Sequence, residues 1–291
     1  MSQYLSYLAY RTCWLIVGLL PHSWAYGLFN RVALHVTKKN GKGVQRLRRN
    51  LAIVNGTSDG DVEQVTIEAM KSYMRYWCDT FRIHKWSRKR IASTVTTTND
   101  YLLRDPMNQG KGVVIALPHS GNWDHAGAYF CQEGFPLVTV AEVLKPEKLF
   151  RKFLQHRERM GFEVLPFESR TFVTLMRRAK EHRMIALVAD RDLSDSGIEV
   201  NFFGKIAKMP AGPALLALKT NIPLVVAHVS YTENGIHIDF RAIEVSTSDD
   251  EKVALQETVQ RVADAFAIGI AEHPQDWHML QRIWIDEKVY A

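Results

Sequence analysis

The chain has 291 residues, 46% hydrophobic and 23% charged; this is the composition of one large folded domain rather than a disordered chain, and no Pro/Ser/Gly-rich linker or internal repeat divides it. Its three cysteines, Cys13, Cys78 and Cys131, are far apart and form no C-x-x-C, which argues against a disulfide framework or a cysteine zinc site and fits a reducing compartment. The net charge of +6 is uneven, with 15 Lys/Arg against 5 Asp/Glu in residues 1–92 and 22 against 26 in the rest; a basic N-terminal third implies an anionic partner such as a lipid surface or the phosphates of a nucleotide carrier.

In chain order, Tyr4, Tyr7, Tyr10 and Trp14 recur at helical spacing with Leu5, Leu8, Leu15, Ile16 and Leu19 interleaved, a pattern suited to a helix lying in a membrane interface. Arg11 and Pro21 keep the run short of the roughly 20 apolar residues a spanning helix needs. A secretory signal is disfavoured, since no basic n-region precedes the run and no A-x-A follows it. Residues 1–36 are therefore expected to be membrane-interface helices, the second of them including Val32 to Val36. Lys38, Lys39 and Lys42, then Arg46, Arg48 and Arg49, read as a charged loop held against an anionic surface, each cation adding about 1 kcal/mol. No recognised nucleic-acid-binding motif makes nucleic acid the partner. Residues 60–83 are expected to form an amphipathic helix capped near Ser58 or Asp59, and Thr94 to Thr98 an edge strand.

The most informative stretch runs from Gly112 to His125. The apolar run Val113-Val114-Ile115-Ala116-Leu117 stops at Pro118-His119-Ser120-Gly121-Asn122-Trp123-Asp124, as a buried parallel strand does where it opens through a tight turn into a helix. His119 then sits at the strand's carboxyl end, where open α/β sheets gather ligands, and Asp124 in the helix's first turn. Folded back across the turn, Asp124 would hold one imidazole nitrogen and leave the other as a base, worth about 10²–10⁴ in rate. The helix start at Gly121, Asn122 and Trp123 offers candidate oxyanion donors.

Leu137 to Ala141 reads as a second buried strand ending at Glu142, followed by a turn at Lys145-Pro146 and a helix from Glu147 to Met160. Glu142 and Arg157 are expected to meet at the rim, or Arg157 to meet a substrate phosphate; the plain alternative is a surface ion pair. Met184 to Ala189, a third strand, delivers Asp190-Arg191-Asp192 to the same rim. Among Asp190, Asp192 and Glu199, one carboxylate supports His119 or holds a bound hydroxyl, and spacing does not choose between them. Pro210 and Pro213 suit the entry to a helix over Ala214 to Thr220. Strands follow at Pro223 to Val229 and Ile236 to Ile243, the latter alternating like an exposed edge, then a helix from Val253 to Ala271 and the ending His273-Pro274-Gln275-Asp276-Trp277-His278-Met279-Leu280. The fold class expected is α/β: a single domain over residues 1–291, with a central, mostly parallel sheet flanked by helices and amphipathic helices at its N-terminus.

His119-X4-Asp124 resembles the HX4D/E motif of the glycerolipid acyltransferases. The context Leu117 to Asp124, the segment Gly197-Ile198-Glu199-Val200-Asn201-Phe202-Phe203-Gly204 and the ending His273 to Leu280 resemble the branch that holds bacterial lipid A acyltransferases and actinobacterial phosphatidylinositol mannoside acyltransferases. The resemblance implies direct transfer of a long acyl chain, palmitoyl first among candidates, from acyl-CoA as co-substrate to a mannose hydroxyl of a glycolipid, with no cofactor, no metal and no acyl-enzyme. It makes Glu199 the first-choice third catalytic residue beside His119 and Asp124, matches Glu142 and Arg157 to positions that shape the site, and puts residues 208–213 near the donor. It further implies a peripheral protein on the cytoplasmic face of the inner (plasma) membrane. Acylation of lipid A or another glycolipid, and a membrane-binding scaffold in which His119 merely caps the helix, are the alternatives. A serine hydrolase lacks its G-x-S-x-G, and no phosphate-loop motif is present.

Overall fold

The computed structural model describes residues 12, 14–143, 147–192 and 196–285; Tyr4, Tyr7, Tyr10, Cys13 and the Lys145-Pro146 turn lie outside them. Seven strands form one sheet in the order β1-β9-β8-β2-β5-β3-β4, where β1 is Val95–Thr98, β2 Val113–Leu117, β3 Leu137–Ala141, β4 Phe162–Pro166, β5 Met184–Val188, β8 Leu224–Tyr231 and β9 Ile236–Ile243. From β8 to β4 all neighbours are parallel; β9 runs antiparallel to β8, and β1 parallel to β9. A separate antiparallel hairpin joins β6 (Ile198–Phe202) to β7 (Lys205–Met209).

Between and around these strands lie the helices α1 (His22–Lys39), α2 (Lys42–Asn55), α3 (Glu63–Arg82), α4 (Arg88–Ser93), α5 (Tyr101–Asn108), α6 (Trp123–Gln132), α7 (Glu147–Glu158), α8 (Thr171–Lys180), α9 (Gly212–Thr220) and α10 (Glu251–Glu272), and residues 14–19 are helical as well. Strand alternation sorts the core. Val114 and Ala116 of β2 pack with Leu175, Leu216 and Phe266 of α8, α9 and α10 on one face. Val113, Ile115 and Leu117 pack with Ile91, Leu103 and Phe130 of α4, α5 and α6 on the other. All five residues of β2 are buried, which is why this strand reads as an unbroken apolar run. The helical N-terminal part covers the rim through α3, whose Ala69 and Met70 join Ala33, Leu47 and Leu51, and whose Cys78 and Phe81 join Trp14 and Ala25.

Four expectations are corrected. Trp14 is buried against Phe81, Phe153 and His156 rather than facing lipid; the interleaved Leu15, Ile16 and Leu19 are the exposed side chains. The Lys38–Arg49 stretch is largely helical: Asn40 in the left-handed conformation closes α1 and α2 begins at Lys42, with Arg48 bonded to Asn40 and paired to Glu63 at 2.6 Å. α3 starts later than expected, with Val62 at its N-cap and no side-chain cap, because the Ser58 hydroxyl donates to Asp61 instead. Strand β9 is interior, and β1 is the edge as expected. The alternation of His237, Asp239 and Arg241 marks an open face of the sheet, where His237 meets Thr96 and Thr98 and Asp239 meets Arg241.

Candidate active site

His119 stands two residues beyond Leu117, the last residue of β2, and Asp190 two residues beyond Val188, the last of β5. Because Leu117 pairs with Val188 in parallel register, the sheet delivers the two side chains to the same place. His119 Nδ1 lies 2.6 Å from one Asp190 oxygen, and the His119 backbone N–H donates to the other at 2.9 Å. The indole N–H of Trp277 donates to that second oxygen at 2.9 Å. The Asp190 side chain has no exposed surface, while that of His119 is 33% exposed. Burial alone would raise the Asp190 pKa, but the His119 ring, its backbone N–H and the Trp277 N–H together hold it below the ordinary carboxylate range. With Nδ1 engaged by an ionised carboxylate, the hydrogen-bond network assigns the proton to Nδ1 and leaves the Nε2 lone pair as acceptor.

The loop carrying the imidazole is fixed on all sides. Gly121 adopts φ +55°, and a Cβ there would lie 2.5 Å from the Val229 carbonyl oxygen, so only glycine permits both the turn and the close approach. The C-terminal segment braces the loop as a short antiparallel partner: the Gly121 N–H donates to the Asp276 carbonyl at 2.9 Å, the His278 N–H donates to the His119 carbonyl at 2.8 Å, and Ser120 bridges Trp277. The Ser72 hydroxyl and the Tyr231 N–H hold the Asp276 carboxylate in turn. Asn122 caps α6 by accepting the His125 N–H, and its amide N–H donates to Asp79. Tyr26 and Tyr231 also donate to Asp79, whose pKa burial raises.

Asp124 does not orient His119. It sits in the first turn of α6, and the loop through Gly121 turns its carboxylate toward α3 and α7, where Arg157 Nε donates to it at 2.9 Å and the Tyr76 hydroxyl approaches to 3.4 Å. The Asp124 side chain is 3% exposed and that of Arg157 19%; a guanidinium so enclosed needs a carboxylate partner. Burial works against the Arg157 charge, yet Asp124 and Tyr76 hold its pKa above the ordinary value. Arg157 accordingly does not meet Glu142, which instead lies 3.8 Å from Arg191. Glu199 is exposed on β6 in register with Lys208, and its carbonyl accepts from Gln256; it does not line the cavity into which His119 opens. Of the oxyanion candidates, the Gly121 N–H is committed to Asp276 and the Asn122 side chain to the helix cap. Trp123 opens α6, with its ring 5.6 Å from His119 edge-on and stacked 4.2 Å from Tyr76.

That cavity, of about 490 Å³, is lined by the polar or charged side chains of His119, Trp123, Arg157, Glu142, Arg191 and Asp192 and by the apolar ones of Phe150, Phe153, Phe167, Phe172, Leu175 and Leu215. His119, Glu142, Arg157, Arg191 and Asp192, all expected at the rim, line it; the carboxylate on His119 is Asp190, not Glu199, the residue the resemblance puts first. Sequence reasoning missed the bracing role of Trp277 and Tyr76 as a partner of Asp124. The signal for Trp277 was present in the dense polar–aromatic ending, but only the fold shows which loop that ending reaches. A largely apolar cavity lined by an imidazole base, with an enclosed ion pair beside it, can take an acyl chain and accept a proton from a hydroxyl.

Comparison with known proteins agrees with this chemistry. The family described as bacterial lipid A biosynthesis acyltransferase matches residues 1–285. A phosphatidylinositol mannoside acyltransferase of Mycolicibacterium smegmatis is 41% identical over 282 residues, 96% of this chain and 91% of that protein. Two sequences of the same name from Mycobacterium tuberculosis strains are each 37% identical over 284 residues, 95% of this chain and 88% of theirs.

Proposed function

Since the chain belongs to the bacterial lipid A biosynthesis acyltransferase family and is therefore an acyltransferase, we propose that it moves a palmitoyl-length chain from acyl-CoA to a mannose hydroxyl of a phosphatidylinositol mannoside. The acceptor is suggested by the names of its relatives at 37% and 41% identity. The single observation that carries the mechanism is the His119–Asp190 pair, at 2.6 Å, with His119 lining a largely apolar cavity.

In this reading the acyl chain lies along Phe150, Phe153, Phe172 and Leu175, with its thioester carbonyl beside His119. Nε2 takes the proton of the sugar hydroxyl as that oxygen bonds to the carbonyl carbon. The oxyanion faces the N–H groups at the start of α6 near Trp123, where the helix dipole favours negative charge. The C–S bond then breaks, and the proton passes from Nε2 to the departing CoA thiolate, so His119 ends as it began and no acyl-enzyme forms. Asp190 holds the imidazole's orientation and stabilises its protonated state.

Among the described residues no helix is long and apolar enough to cross a membrane. Trp24, Leu28 and Val32, four residues apart on α1, are exposed with Leu15, Ile16 and Leu19, and Arg31, Lys38 and Lys39 are close by in sequence. This supports a peripheral protein at an anionic membrane surface, which for a CoA-dependent enzyme is the cytoplasmic face of the plasma membrane. Incubating the purified chain with palmitoyl-CoA and, separately, phosphatidylinositol mannoside, lipid A precursor or phosphatidylinositol tests the reading by product mass. One added palmitoyl ester on the mannoside is expected; acylation of lipid A precursor alone would replace the acceptor, and a palmitoylated protein trapped on acid quench would overturn direct transfer.

A further inference from the structure

Helix α7 has two working faces. Phe150, Phe153, Leu154 and Arg157 line the catalytic cavity, while Lys148, Arg151, Lys152 and His156, with Arg159 just past the helix end and His84, line a second cavity of about 440 Å³. No carboxylate lies on that second cavity among its described lining residues. Arg151 is paired with Glu147 at 2.7 Å, but both side chains are 71% exposed, so that pair neutralises little. Lys148, Lys152 and Arg159 form no ion pair among the described residues, and Lys152 stands 5.6 Å over the Trp14 ring.

The inner wall adds unpartnered ring nitrogens. His156 is 5% exposed, and its Nε2 is buried with no hydrogen-bond partner; the same holds for His84 Nδ1. The two rings meet edge-on at 5.8 Å. Burial, with the nearby cations Lys85, Arg159 and Lys152, lowers the His84 pKa, and those cations leave positive charge in surplus around the ring. Buried polar atoms without partners are costly, and surplus cations at a concave surface are complementary to a tetrahedral oxyanion.

The rim identifies the source. Leu15 lines the same cavity at 59% exposure, continuous with Ile16 at 52% and Leu19 at 77%. An apolar edge beside snorkelling cations is the arrangement that meets a bilayer, apolar side chains entering the acyl boundary while Lys and Arg stay at phosphate depth. We propose that this cavity is a phosphate-binding site, separate from the catalytic cavity, that takes the phosphate of a phospholipid headgroup. The assignment goes beyond the transfer reaction and does not depend on the identity of donor or acceptor.

The test compares the full chain with two double variants of equal charge change: Lys148→Glu/Arg159→Glu at the cavity, and Arg177→Glu/Lys180→Glu on α8 away from it. All four side chains are exposed, so both variants keep the fold, checked by thermal melting. Binding to phosphatidylglycerol vesicles is expected to weaken at least about tenfold in the cavity variant and less than about threefold in the other, since each cation at the surface contributes only modestly. Titration of ¹⁵N-histidine-labelled protein with glycerol 3-phosphate is expected to shift the His156 ring resonances in wild type and not in the cavity variant. Equal vesicle losses in both variants would reduce the site to general surface charge and overturn the proposal. A shift of His156 by glycerol phosphate with vesicle binding unchanged in the cavity variant would assign the phosphate to a soluble compound and overturn the lipid assignment.

Discussion

Replacing Asp190 by Asn keeps the side chain's shape and removes its charge. One amide edge can still accept from the Trp277 and His119 N–H groups at the positions where Asp190 accepts at 2.9 Å. The other edge then presents an NH₂ to His119 Nδ1, 2.6 Å away in the wild type. That contact is satisfied only if Nδ1 becomes the acceptor and the ring proton moves to Nε2, the atom that must take the sugar proton. The variant therefore folds but begins each turnover in the wrong tautomer. Removing a positioned base lowers the rate by about 10²–10⁴, or about 2.7–5.4 kcal/mol of barrier. Asp124→Asn does something different: it strips the counter-charge from Arg157, whose side chain is 19% exposed, and breaking such an enclosed pair costs about 3–5 kcal/mol of stability, a large share of a domain's about 5–15. Steady-state transfer from palmitoyl-CoA, read beside thermal melting, separates the two. Asp190→Asn is expected to melt near wild type with kcat down at least about a hundredfold, and Asp124→Asn to melt markedly lower. Asp190→Asn at near-wild-type kcat, with Asp124→Asn folded but inactive, would refute the reasoning and restore Asp124 as the partner of His119.

Three further outcomes follow from the same geometry. Gly121→Ala forces a Cβ to within 2.5 Å of the Val229 carbonyl oxygen at φ +55° and is expected to cost about 1–3 kcal/mol, measured by urea unfolding; a stability unchanged from wild type would show that the loop relaxes freely. Leu175→Trp fills the apolar wall of the cavity and is expected to abolish palmitoyl transfer while sparing a short acyl donor, so equal losses on both chain lengths would contradict an acyl slot there. Burial lowers the pKa of His228 and His278 to about 3 and of His125 and His156 to about 4. The unfolded chain therefore takes up protons below about pH 6.5 that the folded one refuses, and each histidine removes up to about 1.4 kcal/mol of stability per pH unit as acid is added. Asp79 and Asp276, raised by burial, act in the opposite sense but are fewer, so the melting temperature is expected to fall between pH 6.5 and 4.5; a flat profile would contradict neutral burial of the four rings.

How far the sequence carried this fold depends on what each residue run was answering to. β2 is readable because both its faces are buried, and β5 because it is apolar throughout and largely buried, which leaves in each an apolar run bounded by turn residues. β4 was not: Phe162-Glu163-Val164-Leu165-Pro166 is an edge strand whose Glu163 pairs with Arg178 at 2.6 Å, so its charge and proline speak against a strand in isolation. The cation run hid α2, although Val44, Leu47 and Leu51 recur at three and four residues and are all buried. In the site, His119 was legible from its place after β2, whereas its partner was not. Proximity in sequence favoured Asp124, five residues away, but adjacency in a parallel sheet sets Asp190, 71 residues on, beside it. The carboxylate at the start of α6 answers not the nearest imidazole but the enclosed guanidinium of Arg157 from another helix.

The central claim, that the imidazole at the end of β2 takes the proton in a direct transfer, is tested most directly by the rate of ester formation from palmitoyl-CoA and phosphatidylinositol mannoside in a folded His119→Ala variant. A fall of about 10²–10⁴ with unchanged melting is predicted; transfer at the wild-type rate would contradict it.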